Sequence, residues 1–176
     1  QQKEADVLIV GAGPSGTACA LQLRNAGLSV TIMDKAGFPR DKTCGDALSV
    51  DVVNQLTLIS PELAEAFEYF PPKVSSYGVR IVAPNQQHID IPFYHQGKEK
   101  CGYLCTRFDF DNLLVEKLKK SHQITLIENC QVKKIETSTD CIKATTDEGV
   151  FVAKMMIGAD GAQSVVAKFL GASFME

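Results

Sequence analysis

Three glycines near the N-terminus form a pattern that could hold a pyrophosphate. Gly11, Gly13 and Gly16 make a G-x-G-x-x-G segment between an apolar run and a helix-forming segment. This pattern permits a tight turn, close approach of the backbone to a pyrophosphate and close packing of the helix on the strand. Free N–H groups and the helix dipole favour an anion at such a helix start. We therefore predict a dinucleotide-binding turn that includes Pro14 and Ser15.

A carboxylate at the end of the next apolar run fits the same ligand. Asp34 lies 18 residues after Gly16 and ends the run that begins at Ser29. It can accept hydrogen bonds from the ribose hydroxyls of an adenosine. The carboxylate disfavours a 2′-phosphate, although the adjacent Lys35 weakens that argument. A purely structural glycine turn is the alternative, and these residues alone do not distinguish FAD from NAD.

A second turn motif lies near the other end of the chain. The segment GADGAQS, residues 158–164, follows an apolar run and opens a short helix. Asp160 ends the predicted strand, where ligands of open α/β sheets bind, and Gly161 gives the backbone freedom to turn beside a bound group. Taken alone, the segment is more often an ordinary strand-to-helix turn in which the aspartate is a cap.

The third candidate is a cysteine in a charged loop. Residues 35–46 lack periodicity and contain Gly, Pro and several charges, which is typical of a functional loop. Arg40 and Lys42 lie near Cys44, and a helix predicted to start after Asp46 would add its dipole. Both features favour the thiolate of Cys44. The alternative is a packed thiol that precedes a capped helix.

The surrounding pattern predicts how these residues are positioned. Apolar runs at 5–10 and 29–33 read as buried parallel strands, joined by a helix that stops at Gly27. The last third alternates in a way that predicts an antiparallel β-meander. The remaining predicted elements are helices at 47–58, 61–67, 108–121 and before 170, and strands at 77–83, 88–92, 103–106, 124–128, 131–137, 142–146 and 150–157.

Composition excludes several classes of protein. The 176 residues carry a net charge of −3, which argues against a nucleic-acid binder. No apolar run approaches the ~18 residues of a membrane span, and the polar start does not read as a signal peptide. The six cysteines form no C-x-x-C pair and the three histidines are scattered, so we expect no metal site and reduced thiols in a cytoplasmic protein.

The two turn motifs together resemble those of the para-hydroxybenzoate hydroxylase superfamily of flavoproteins. The resemblance implies that the first motif holds the adenosine and pyrophosphate of FAD. It implies that the second lies near the pyrophosphate and the route of a pyridine nucleotide. It also covers Arg107 in CTRFDFDNLL, which the superfamily places against FAD and whose planar guanidinium can bind phosphate or flavin oxygens. A surface arginine at a helix start is the alternative.

The charged loop resembles a more specific group, the geranylgeranyl reductases and related FAD-dependent reductases. The resemblance implies that Arg40 lies near the cofactor and that Cys44 and Gly45 face the catalytic cavity. Cys44 is accordingly a catalytic candidate, although positioning or flavin tuning is an equally open role. The matching residues are Pro39, Arg40, Lys42, Cys44, Gly45, Ala47, Leu48 and Ser49.

The resemblance implies an α/β, Rossmann-like FAD-binding three-layer fold over residues 1–176, with an additional antiparallel β-meander. It implies strands of a substrate domain around 74–106, and a C-terminal remainder that these residues do not include, so we expect a fragment. Gln163 and Ala167 stand where the superfamily often has arginine, which alters the expected grip on a pyridine nucleotide.

The implied activity is an FAD-dependent oxidoreductase that reduces carbon–carbon double bonds of a polyprenyl substrate by hydride transfer from reduced flavin. The electron donor would be NAD(P)H or another reductant. The substrate would be a small molecule or an isoprenoid lipid, and a lipid substrate would bring the cytoplasmic protein to the membrane surface. Two alternatives remain: a flavin-dependent monooxygenase or halogenase on the same fold, and a dinucleotide-binding module without turnover.

Overall fold

The computed structural model describes residues 2–95 and 97–171. The chain divides into two compact units, which we name the sheet unit (residues 1–40 and 111–176) and the insert unit (residues 41–110). In chain order the elements are β1 (Gln2–Val10), α1 (Pro14–Leu23), β2 (Val30–Met33), β3 (Ala47–Leu48), α2 (Val52–Ile59), α3 (Pro61–Glu68), β4 (Val74–Ser76), β5 (Gly78–Val82), β6 (His88–Pro92), β7 (Tyr94–His95), β8 (Lys98–Glu99), β9 (Gly102–Leu104), α4 (Arg107–Lys119), β10 (Ile124–Ile127), β11 (Val132–Thr137), β12 (Ile142–Thr146), β13 (Gly149–Gly158) and α5 (Val165–Phe169).

The sheet unit is built on one six-stranded mixed sheet. Its strand order is β10-β2-β1-β13-β12-β11. The first four strands of this order are parallel, and β12 and β11 extend the sheet antiparallel to β13. The predicted Rossmann-like α/β fold with an antiparallel meander is therefore confirmed.

Strand β1 lies in the middle of this sheet because its side chains are apolar on both faces. Val7 to Val10 are all buried, as expected of a parallel strand covered on both sides. β1 begins at Gln2 rather than at the predicted residue 5, because β13 is long enough to pair with its first residues. One face of the sheet forms a core cluster of Leu8, Val10, Met33, Cys130, Val132, Ile135, Ala144, Phe151, Ala153 and Val166.

The insert unit contains short antiparallel pairs and two short helices. β3, β9 and β4 form a three-stranded sheet, and β5 pairs with β6 as predicted. Phe67 is fully buried and meets the rings of Tyr103 and Phe110 edge-on, with centroids 5.2 and 5.8 Å away. The individual strands predicted at 77–83, 88–92 and 103–106 include neither β4 nor the β7–β8 pair.

The predicted helix over 47–58, capped by Asp46, is wrong in its first third. Ala47 and Leu48 instead pair with β9, and the helix starts only after Asp51. Asp46 has a φ of 53°, in the left-handed region, whereas an N-cap residue is typically extended. Its carboxylate accepts a hydrogen bond from the backbone N–H of Arg107 instead.

None of the described helices is long and apolar enough to cross a membrane; the longest of them, α4, has 13 residues.

Candidate functional site

The two turn motifs of the sheet unit lie side by side. β1 and β13 are adjacent parallel strands whose last residues, Val10 and Gly158, are in register. The N–H of Ala159 donates to the carbonyl of Val10 at 2.7 Å, and the N–H of Gly11 donates to that of Met33 at 2.7 Å. The turns at 11–16 and 158–161 therefore leave the same edge of the sheet together.

Glycine is required where these turns touch. A Cβ on Gly11 would lie 2.3 Å from the carbonyl oxygen of Ala159, and Gly11 has a φ of 100°. A Cβ on Gly16 would lie 1.8 Å from the carbonyl oxygen of Gly11 and 3.2 Å from the Cβ of Ala159. Both obstacles at the shortest distances are backbone atoms, which cannot rotate away. The glycine pattern thus serves the contact between the motifs as well as any ligand.

The start of helix α1 has no side-chain cap. Gly13 is its extended N-cap residue and Pro14 its first residue. No side chain caps this end, and no acidic residue lies in the first turn. Ser15 is exposed. The arrangement suits an anion, which the first-turn N–H groups and the helix dipole would stabilise.

Asp34 is fixed beside the first turn. One carboxylate oxygen, Oδ2, accepts the N–H of Ala12 at 2.8 Å, and the other, Oδ1, accepts the N–H of Ala36 at 2.9 Å. The residue is buried, with 8% of its surface exposed, whereas Lys35 points to solvent. Two backbone donors use about half of the roughly four lone-pair sites of a carboxylate. The other sites could accept hydrogen bonds from further donors.

Arg40 lies in the same unit as Asp34. Its guanidinium stacks 4.9 Å above the ring of Phe38, and its Nη2 atom lies 3.8 Å from Asp34 Oδ2. The sequence placed this arginine near the cofactor, and the structure brings it to the carboxylate predicted to bind ribose.

Asp160 supports the start of helix α5 together with its N-cap residue Ser164, whose hydroxyl accepts the N–H of Ala167 at 2.9 Å. Its Oδ2 accepts the N–H of Val165 at 2.6 Å, and its Oδ1 accepts the hydroxyl of Ser164 at 2.5 Å. Gly161 is exposed and has a φ of 83°. The ordinary strand-to-helix turn weighed from the sequence is thus present, and it sits against the glycine turn.

Three predicted site residues, Cys44, Gly45 and Arg107, belong to the insert unit. Cys44 and Gly45 are exposed. Hydrogen bonds from the backbone N–H of Asp46 and from the Arg107 side chain lower the pKa of the Cys44 thiol. The predicted direction of the shift is right, but its source is not a helix dipole, because α2 begins several residues later.

The sequence missed two kinds of residue in the sheet unit. Ala12 and Ala159 act through their backbone groups, which any residue type possesses. Asp111, on α4, is an acid with 1% exposure, and its carboxylate lies 3.3 Å from Arg40. No periodic pattern marks a buried acid. Among the described residues, no three His, Cys, Asp or Glu side chains are grouped so that they could hold a metal ion.

The sheet unit combines a mixed sheet, a glycine-rich turn, a carboxylate beside that turn and a second turn next to the first. Together these features define a Rossmann-like dinucleotide-binding protein. The family model described as FAD binding domain matches residues 4–176. The chain belongs to that family, and FAD is its cofactor.

Similar curated proteins are longer than this chain. Geranylgeranyl diphosphate reductase of Rhodobacter capsulatus is 30% identical over 92% of this chain and 38% of its own length. Menaquinone reductase of Mycobacterium tuberculosis is 27% identical over 95% of this chain and 40% of its own length. Digeranylgeranylglycerophospholipid reductase 2 of Methanosphaera stadtmanae is 28% identical over 96% of this chain and 42% of its own length. The chain thus spans about two fifths of these relatives.

Solved structures share the fold at lower identity. The p-nitrophenol 4-monooxygenase PnpA of Pseudomonas putida matches with a TM-score of 0.80 and 21% identity, over 97% of this chain and 44% of its own. The halogenase PltM in complex with phloroglucinol and FAD matches with a TM-score of 0.77 and 22% identity. The match covers 95% of this chain and 36% of PltM.

Substitution Gly16→Ala should abolish tight FAD binding. The new Cβ would collide with the Gly11 carbonyl, so the turn must open. We expect the Kd for FAD, measured by quenching of flavin fluorescence, to rise by about 100-fold or more, the range of ~3 kcal/mol for a disrupted site. Gly27→Ala is the control: it strains a residue with a φ of 71° just after α1 but meets nothing within 4 Å. Equal loss of FAD affinity in both variants would contradict the role of the turn contact.

Substitution Arg107→Met should raise the pKa of the Cys44 thiol, because a side-chain donor to the thiolate is lost. In cofactor-free protein we expect alkylation of Cys44 by iodoacetamide at pH 7, followed by peptide mass spectrometry, to slow several-fold, and its pH profile to move upward. The Asp46 N–H remains, so the shift is partial. Lys42→Met removes a nearby cation that does not contribute to the shift, and should leave the profile in place. An unchanged profile in Arg107→Met would refute the assignment.

Proposed function

We propose that the protein containing this chain is an FAD-dependent reductase that adds hydrogen across carbon–carbon double bonds of a polyprenyl substrate. The observation that carries the proposal is that three of its relatives are named as reductases of geranylgeranyl compounds. A geranylgeranyl diphosphate reductase and two digeranylgeranylglycerophospholipid reductases are 28–30% identical over 92–96% of this chain. The loop segment from Pro39 to Ser49 supports the same group, because it resembles the pattern of geranylgeranyl reductases.

The residues of the sheet unit fit the adenosine and pyrophosphate parts of FAD. Gly11, Gly13 and Gly16 would let the backbone approach the pyrophosphate, and Pro14 and Ser15 open the helix whose first turn would stabilise its charge. Asp34 would accept the ribose hydroxyls, with Lys35 and Arg40 beside it. Asp160 and Gly161 would shape the neighbouring turn. The fit rests on glycine positions that a Cβ would fill and on a fixed, half-used carboxylate.

The insert unit contains further candidate site residues. When bound, reduced FAD would supply a hydride to an alkene carbon, and a proton would complete the reduction. The backbone N–H of Asp46 and the Arg107 side chain lower the pKa of the Cys44 thiol. We propose for Cys44 a role in positioning or flavin tuning, with Gly45 and Arg107 as further candidates for cofactor contact.

A second candidate function is a flavin-dependent monooxygenase or halogenase. The observation that favours it is the close fold match with PnpA and PltM. One fold hosts both reaction types, so the fold match does not separate them. A module that binds a dinucleotide without turnover is the third candidate.

The reaction can be identified with the full-length protein. We expect purified protein to be yellow with the absorption of oxidised flavin. After anaerobic reduction by dithionite or NADPH, addition of geranylgeranyl diphosphate should reoxidise the flavin and yield a product with two hydrogens more per reduced double bond. Reoxidation only by oxygen, with a hydroxylated or halogenated product, would favour the second candidate. A colourless protein that binds NAD would favour the third.

Substitution Cys44→Ala should lower turnover of the polyprenyl substrate while FAD stays bound. A proton donor contributes about 100-fold or more, so we expect a smaller fall if the thiol positions or tunes. Steady-state kinetics with the flavin content measured in each preparation would show it. Cys141→Ala, which removes a half-buried thiol just before strand β12 in the sheet unit, is the control. Full turnover in Cys44→Ala would end any role of this thiol in the reaction.

A further inference from the structure

One arginine of the sheet unit lies between two carboxylates. Arg40 Nη1 is 3.3 Å from Asp111 Oδ2, and Arg40 Nη2 is 3.8 Å from Asp34 Oδ2. The Asp111 side chain is completely buried, and the Arg40 side chain is 18% exposed. The sequence predicts roles for Asp34 and Arg40 but none for Asp111.

The two ion pairs are unequal. The Asp111 pair is the shorter one, and Nη1, the nitrogen that faces it, is buried and makes no hydrogen bond with any described residue. The Asp34 pair is too long for a hydrogen bond, for which ~2.7–3.2 Å is usual. Asp34 is held instead by the N–H groups of Ala12 and Ala36. The guanidinium therefore lies closer to Asp111 than to Asp34.

The position of Arg40 determines which acceptor sites of the Asp34 carboxylate stay open. A guanidinium binds a carboxylate through paired donors that match both oxygens. If Arg40 closed on Asp34 in that way, it would occupy the acceptor sites that the Ala12 and Ala36 N–H groups leave open. Asp111 competes for the same cation from a buried position, where the attraction between charges is stronger than in water.

We propose that Asp111 is a positioning residue for the adenosine end of the FAD site: it holds the Arg40 guanidinium and thereby keeps the Asp34 carboxylate open to ribose hydroxyls. The inference rests on the proposed role of Asp34 in binding ribose. It concerns recognition of the ribose and not the flavin chemistry. Asp111 acts through Arg40 and touches no ligand itself.

The test compares FAD with its 2′-deoxyadenosine analogue in the cofactor-free full-length protein. The ratio of their Kd values, measured by fluorescence quenching, reports the hydrogen bond to the ribose 2′-hydroxyl. We expect wild-type protein to prefer FAD by about 10-fold or more, as for a hydrogen bond to a charged acceptor. In Asp111→Asn the preference should fall toward parity, because Arg40 closes on Asp34. A general loosening of the structure would weaken both ligands equally and leave the ratio unchanged.

The double variant Asp111→Asn/Arg40→Met separates competition from damage. Removing the competing cation should restore the preference for FAD, which a merely structural defect would not do. The double variant also carries neither buried charge, so it tests the proposal even if Asp111→Asn alone does not fold. A double variant without the preference would overturn the proposal.

The control variant is Glu116→Gln. It removes a negative charge from the exposed side of α4, the helix that carries Asp111, and should keep the wild-type ratio of the two Kd values. Wild-type protein that binds FAD without preferring it would overturn the role of Asp34, and this inference with it. A wild-type preference that Asp111→Asn fully retains would overturn only the role of Asp111.

Discussion

Backbone contact between the ends of two adjacent parallel strands is the constraint on which the cofactor site depends. Where β1 and β13 end, Gly11 faces Ala159 so closely that no side chain fits between them. Parallel strands in register deliver their C-terminal turns to one edge of the sheet, where open α/β sheets bind ligands. The distance along the chain between the motifs therefore matters little, because the register of β1 with β13 joins them.

Hydrogen bonds and ion pairs of charged side chains also fix the residues near this edge. Asp34 is fixed by two backbone donors, and Arg40 is shared unequally between Asp34 and the buried Asp111. A buried carboxylate requires a nearby cation, since an ion without compensation costs several kcal/mol (about 3–5 when a partner is removed). The loop after β2 thus has an electrostatic anchor, although it contains no regular secondary structure over residues 35–46.

The sequence predicts the sheet unit well, because its signals are local. Apolar runs bounded by glycine define β1 and β2, and alternation defines the meander. It fails at Asp46, where residue type suits a helix cap but pairing of Ala47 and Leu48 with β9 decides the backbone. It fails also at Asp111, whose role exists only through a residue far away in the chain. Tertiary contacts of single polar residues leave no periodic trace.

The segment from Pro39 to Ser49 contributes residues to both units. Arg40 belongs to the sheet unit and interacts with acids there, whereas Cys44 belongs to the insert unit and owes its lowered pKa to the Asp46 N–H and Arg107. The features of the sheet unit are those a dinucleotide demands of any such fold, and proteins with different reactions share them. Within the insert unit, the candidates for cofactor contact, Cys44, Gly45 and Arg107, would be constrained by the same ligand. Differences among reductases, monooxygenases and halogenases should therefore be sought among the other residues of the insert unit.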